Sequence, residues 1–107
     1  MTDFKDRERA EEAKYAMDEE TAFKVAARRN KLLGHWAAEK MGLNDEETKS
    51  YATAVVQADF EEAGDEDVIR KVLGDLTTAG VDVDEAAVRA ALADMTIEAK
   101  RQFMSEN

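Results

Sequence analysis

Four basic side chains that lie close together in the sequence are the first candidates for binding chemistry. They are Lys24, Arg28, Arg29 and Lys31, in a chain that otherwise has an excess of acidic residues. Lysine and arginine bind phosphate groups and acidic protein surfaces through charge-assisted hydrogen bonds. No glycine-rich phosphate-binding loop accompanies the cluster. Two interpretations therefore stay open: a solvated helix face paired with neighbouring acids, or a contact with a phosphate or an acidic partner.

The other reactive residue types form no catalytic or metal-binding pattern. His35 is the single histidine, and the chain has no cysteine, so neither a zinc site nor a thiol nucleophile is predicted. The acidic run 59–67 lacks the ligand spacing of a calcium-binding loop. Asp65, Glu66 and Asp67 precede an apolar helical pattern, which favours a capping role. We therefore predict that the protein is not an enzyme and needs no cofactor.

Residues 4–15 form the most distinctive segment, in which acids and bases alternate between Phe4 and Tyr15. Such a short polar helix is marginal in water, so we expect a mobile segment that becomes helical against a partner. A frayed, solvated terminus is the alternative. However, the two aromatic residues are eleven positions apart, which places them within about 20° of each other on one helix face. The segment is therefore predicted to be a docking element.

Composition limits the organisation and the partners of the protein. A chain of 107 residues predicts one compact domain, here residues 18–107, preceded by the flexible segment 1–17. The formal net charge of −10 disfavours nucleic acid and anionic membranes as partners. The sequence shows neither a secretory signal pattern nor an apolar run that could span a bilayer, so we expect a cytoplasmic protein.

Glycines followed by Asn or Asp divide the chain into helical stretches that carry apolar stripes. Asn44 and Glu47 have the spacing of a capping box after Gly42. The predicted helices are 18–41, 45–63, 66–79 and 85–104, and their short connections predict an all-α, antiparallel four-helix bundle with a mobile N-terminal extension. Residues 81–84 are predicted to be a loop.

Some predictions concern packing within these helices. The apolar stripe of the first helix includes Phe23, which is therefore expected to contact the core. Gly34 and Gly74 are interior to helices, where glycine usually indicates a close helix approach. Trp36 is expected to pack into the space beside Gly34.

The sequence resembles the zeta-subunit inhibitors of alphaproteobacterial F-type ATP synthases nearly from end to end. The resemblance is carried by residues 6–10, 12–14, 23–24, 27–34, 36–39, 58–62, 64–68 and 70–72. The N-terminal segment is also similar to the inhibitory stretch of the mitochondrial ATPase inhibitor protein. The matching positions here are Phe4, Arg7, Glu8, Ala10, Glu11, Glu12 and Tyr15.

The resemblance implies that residues 2–17 enter a catalytic alpha/beta interface of the ATPase head as a helix and reach toward the central rotor subunit. Hydrolysis would then stop because rotation is blocked. It also implies association with the membrane-bound enzyme at its cytoplasmic face, without membrane insertion. The mitochondrial inhibitor dimerises through one long helix, whereas this chain breaks into several, so a monomer is expected. The alternative hypothesis is a nucleotide- or metabolite-binding regulatory module that uses Arg28, Arg29 and Lys31.

Overall fold

A computed structural model describes residues 19–59 and 64–106 of the chain. They form four α-helices: α1 (Glu19–Met41), α2 (Asp45–Ala58), α3 (Glu66–Thr78) and α4 (Glu85–Glu106). Within these ranges there is no strand. The predicted all-α four-helix fold is confirmed, while the proposed division at residue 17 lies outside the described residues and stays a prediction.

Helix α1 organises the bundle because it packs against each of the other three helices, most extensively against α2 and α4. The largest side chains that are fully buried include Leu33 of α1, Val55 of α2, Leu76 of α3 and Val88 of α4. These residues belong to the apolar stripes of their helices, and their burial in one cluster removes the stripes from water.

The junction between α1 and α2 has the predicted stop and start signals. Gly42 has a φ of +73°, and the Leu43 amide donates to the Ala38 carbonyl at 3.0 Å. The next helix starts with a complete capping box, in which Asn44 Oδ1 accepts from the Glu47 amide at 2.8 Å. The Asn44 amide in turn donates to Glu47 Oε1 at 3.0 Å. This junction confirms the sequence interpretation at the level of individual hydrogen bonds.

Of the two helix-interior glycines, Gly34 marks a close helix approach and Gly74 does not. A Cβ atom on Gly34 would lie 2.7 Å from the Cα atom of Ala52, so α1 and α2 could not approach as closely with any other residue. Ala52 therefore occupies the space beside Gly34, and Trp36 packs, half-buried, against the core cluster instead. A Cβ on Gly74 would meet nothing within 4 Å, so the prediction for Gly74 was wrong.

Several predicted helix ends differ from the observed ones. Helix α2 ends at Ala58 rather than at residue 63, and Asp59 adopts a turn. Helix α3 ends one residue early, at Thr78, and α4 continues two residues further, to Glu106. The start predicted at residue 18 also lies outside the described residues. Residues 81–84 are a loop, as predicted.

The prediction that Phe23 belongs to the core was wrong, because 55 % of its surface is exposed. It lies at the margin of the bundle, over a shallow depression that Val56 and Asp59 also line. The last residue of α2, Ala58, immediately precedes Asp59 at this margin.

Candidate functional site

The basic cluster of α1 is largely engaged in ion pairs within the protein. Lys24 Nζ lies 3.5 Å from Glu20 Oε1 on the same helix. Arg28 and Arg29 pair with carboxylates of other parts of the chain, as described below. Lys31 is exposed, and no carboxylate among the described residues pairs with it. The interpretation of a helix face paired with neighbouring acids thus accounts for most of this cluster.

Arg29 connects α1 to the link between α2 and α3. Its guanidinium lies 3.1 Å from Asp65 Oδ1 and 3.5 Å from Asp59 Oδ2, and only 12 % of the side chain is exposed. Its Nε also donates to Oδ1 of the buried Asn30 at 3.1 Å. Since these contacts occupy the guanidinium, a phosphate would have to compete with two carboxylates of the protein for Arg29.

The capping role predicted for Asp65 was wrong. The residue precedes α3 but has a helical φ of −97°, and its side chain makes no capping hydrogen bond. Its carboxylate turns to Arg29 instead, which is a tertiary contact that the local pattern could not indicate. Glu66 and Asp67 do lie in the first turn of α3, where negative charge complements the helix dipole.

Arg28 ties the N-terminal part of α1 to the last residue of α4. Its Nη1 lies 2.8 Å from Glu106 Oε1, and its Nη2 donates to Glu106 Oε2 at 2.9 Å. This hydrogen bonding lowers the pKa of the Glu106 carboxyl and raises the pKa of the Arg28 guanidinium. The contact places the beginning of α1 and the end of α4 together at one end of the bundle.

A groove at this same end is the feature that the sequence interpretation missed. Its volume is about 430 Å³, and it lies between the first turns of α1 and the last turns of α4. The lining residues are Thr21, Ala22, Val25, Ala26, Arg29, Thr96, Lys100, Phe103 and Met104. The only sequence signal was an apolar pair, Phe103 and Met104, near the end of the last helix.

Residues predicted to form the inhibitory segment lie outside the described residues, so their placement stays a prediction. They are Phe4, Arg7, Glu8, Ala10, Glu11, Glu12 and Tyr15. Among the described residues, α1 begins at Glu19, and Thr21 and Ala22 of its first turn line the groove.

His35 and Trp36, the remaining residues singled out in the sequence, lie on α1, where His35 is exposed and Trp36 is half-buried. Within residues 19–59 and 64–106 no three His, Cys, Asp or Glu side chains could jointly hold a metal ion. Lys40 Nζ lies 5.0 Å from the centre of the Trp36 ring, within the range of a cation–π interaction. None of the described helices has the length and apolar character that a bilayer span requires.

These features define a small all-α protein with a paired basic cluster and an apolar groove at one end of its bundle. Comparison with known proteins identifies it further: the chain belongs to the family described as ATPase inhibitor subunit zeta, whose family model matches residues 1–102. Members of this family regulate an ATPase and are not catalysts, so the chain is an inhibitor of ATP hydrolysis that associates with the F-type ATP synthase.

Solved structures give a second comparison. Three chains match, and one of them, titled as a solution NMR structure, is 53 % identical in sequence with a TM-score of 0.71. The match covers 79 % of this chain and 96 % of that chain. A comparison with curated proteins found no match.

Proposed function

We propose that the protein inhibits the F-type ATP synthase by inserting residues 2–17 as a helix into a catalytic alpha/beta interface of the head. The inserted helix would reach the central rotor subunit and block its rotation, so that hydrolysis stops without occupation of the nucleotide site. The bundle would remain on the outside of the head, on the cytoplasmic face, and the protein would be a monomer before it binds.

The observation that carries this proposal is the extent of the family match, which begins at residue 1 and so includes the charged segment with Phe4 and Tyr15. The position of α1 in the described structure also supports the proposal. Helix α1 begins at Glu19 at one end of the bundle, so a helix formed by the preceding residues can project from that end.

The proposal assigns different roles to the side chains of the segment. Phe4 and Tyr15, on one helix face, would fill apolar pockets of the interface, where aromatic anchors contribute most to binding. The charged residues of the segment would make charge-assisted hydrogen bonds in the partly desolvated interface of the head. They are Arg7, Glu8, Glu11 and Glu12. The binding free energy of these contacts must exceed the cost of ordering the segment, which is ~2–5 kcal/mol.

Substitution of the two anchors tests this mechanism. A Phe4→Ala/Tyr15→Ala double variant should raise the half-inhibitory concentration in an ATP hydrolysis assay by about a thousandfold, since two hot-spot residues each cost ~2 kcal/mol or more. Lys5→Ala is the matched control, because it alters the same segment outside the aromatic face. Equal inhibition by the double variant and the wild type would contradict the proposed insertion.

The alternative function, nucleotide or metabolite binding, retains Arg28, Arg29 and Lys31 as its candidate contacts. A calorimetric titration of the isolated protein with ATP and ADP tests it directly. Submillimolar affinity that Lys31→Ala abolishes, together with wild-type inhibition by the anchor double variant, would favour this alternative.

A further inference from the structure

The end of the bundle from which residues 2–17 depart carries an apolar groove that no described part of the chain covers. We propose that this groove is the surface by which the bundle docks on the ATPase head. Its occupant would be a segment of the head that presents an apolar side chain flanked by carboxylates. This inference rests on the proposed function and adds to it the face of the bundle that makes the contact.

The floor of the groove is apolar and open to solvent. Val25 and Ala26 of α1 and Phe103 of α4 are half-buried there, and Met104 has 72 % of its surface exposed at the edge. Large apolar side chains that remain exposed around a concavity are typical of protein interaction sites. An apolar side chain of a partner that entered the groove would remove this surface from water.

Basic residues at the rim of the groove indicate that its occupant carries negative charge. Lys100 lines the groove and is exposed, and no carboxylate among the described residues pairs with it. Lys31 is also exposed, and no carboxylate among the described residues pairs with it. It lines an adjoining depression on the other side of Phe103. In a protein with a net charge of −10, two such lysines beside one apolar surface are complementary to carboxylates of a partner.

The position of the groove identifies the partner. Thr21 and Ala22 line it, only four and five positions after residue 17. Four extended residues span at most about 14 Å, so the groove must lie within that distance of the end of the inserted segment. When residues 2–17 occupy the head, this end of the bundle is therefore the part of the molecule nearest to the surface of the head.

Two exposed apolar residues of α4 provide a matched test. Met104→Glu places a negative charge in the groove, whereas Ile97→Glu places the same charge on the same helix at a residue that does not line it. The exposed fractions, 72 % for Met104 and 69 % for Ile97, are similar, so both variants should fold, which circular dichroism verifies.

The experiment measures binding of the labelled full-length protein to inhibitor-free F-type ATPase, together with inhibition of hydrolysis. We expect Met104→Glu to weaken binding and to raise the half-inhibitory concentration at least about tenfold, with complete inhibition retained at saturation. Ile97→Glu should stay within about twofold of the wild type. Lys100→Glu should weaken binding several-fold, whereas Lys49→Glu, exposed at the start of α2, should not.

Equal binding by Met104→Glu and Ile97→Glu would overturn the inference and leave the inhibitory segment untouched. A Met104→Glu variant that inhibits at lower concentration than the wild type would also overturn it, since residues 2–17 of the same chain would then be the occupant. Wild-type dimerisation in sedimentation that Met104→Glu abolishes would assign the groove to a second copy. Binding that depends on Met104 without any inhibition would support the docking surface and contradict the proposed function.

Discussion

At the scale of single residues, Gly34 sets the distance between α1 and α2. A Cβ atom on this glycine would lie only 2.7 Å from the Cα atom of Ala52, which is too close for a van der Waals contact. Gly74 lies in the interior of α3 with open space around the same position. The two residues look alike in the sequence, but only one of them is required by packing.

Substitution of each glycine by alanine should therefore have opposite effects. Gly34→Ala should lower the free energy of unfolding, because overpacking costs ~1–3 kcal/mol and exceeds the gain in helix propensity, which is at most ~1 kcal/mol. Gly74→Ala should raise it by up to ~1 kcal/mol. Urea unfolding followed by circular dichroism measures both, and a stabilising Gly34→Ala would contradict the close approach of the two helices.

Tyr51 gives a prediction about pH. Its hydroxyl donates to Asp75 Oδ2 at 2.9 Å, and Lys71 Nζ lies 3.1 Å from the same oxygen. Burial, and then the hydrogen bond to Asp75, raise the pKa of the Tyr51 hydroxyl above its ordinary value. The unfolded chain therefore loses this proton first as the pH rises above ~10, and the stabilisation by the protonated hydroxyl is lost above that pH.

Comparison with Tyr51→Phe isolates this contribution. Near neutral pH the variant should be less stable by ~0.5–1.5 kcal/mol, the usual contribution of one hydrogen bond. The difference should shrink as the pH rises from 9 to 11, because only the wild type has this hydroxyl to ionise. Unfolding free energies measured across this range would contradict the assignment if the difference stayed constant or grew.

At the scale of the helices, the start of α2 and the start of α3 are held in different ways. Asn44 and Glu47 exchange two hydrogen bonds at the start of α2. Asp65, at the start of α3, gives its carboxylate to Arg29 of α1. A local cap stabilises one helix, whereas a tertiary ion pair stabilises the other.

Alanine substitution of Asn44 and of Asp65 should distinguish the local cap from the tertiary ion pair. Asn44→Ala should cost ~1 kcal/mol of unfolding free energy with little dependence on salt, because it removes a capping hydrogen bond. Asp65→Ala should cost less than ~1 kcal/mol, and the cost should fall as salt is added, because Asp65 is half-exposed and Arg29 keeps Asp59. Equal salt dependence of the two variants in urea unfolding would contradict this distinction.

The helices could be predicted from the sequence because their causes are local. Apolar spacing, Gly42 and the capping box at Asn44 act within a few residues, and the structure has the corresponding elements. The errors arose where distant residues decide the outcome. The role of Asp65 depends on Arg29, which is more than 30 positions away in the sequence. The exposure of Phe23 likewise depends on tertiary packing and not on the apolar spacing of its own helix.

At the scale of the whole molecule, one end of the bundle combines the features that bear on function. The start of α1, the end of α4 and the groove between them all lie there, tied by Arg28 and Glu106. The sequence indicated the inhibitory segment because its charges and aromatics are contiguous. It could not indicate the groove, whose two walls, near Val25 and Met104, are almost 80 residues apart and meet only after folding.

The most direct test of the account is the titration of inhibitor-free F-type ATPase from the same source with the full chain and with a version that lacks residues 2–17. The full chain should inhibit ATP hydrolysis to saturation, and the shortened version should not inhibit, while it retains the helical circular dichroism of the bundle. Inhibition of equal strength by the shortened version would contradict the central claim, because the bundle alone would then be the inhibitor.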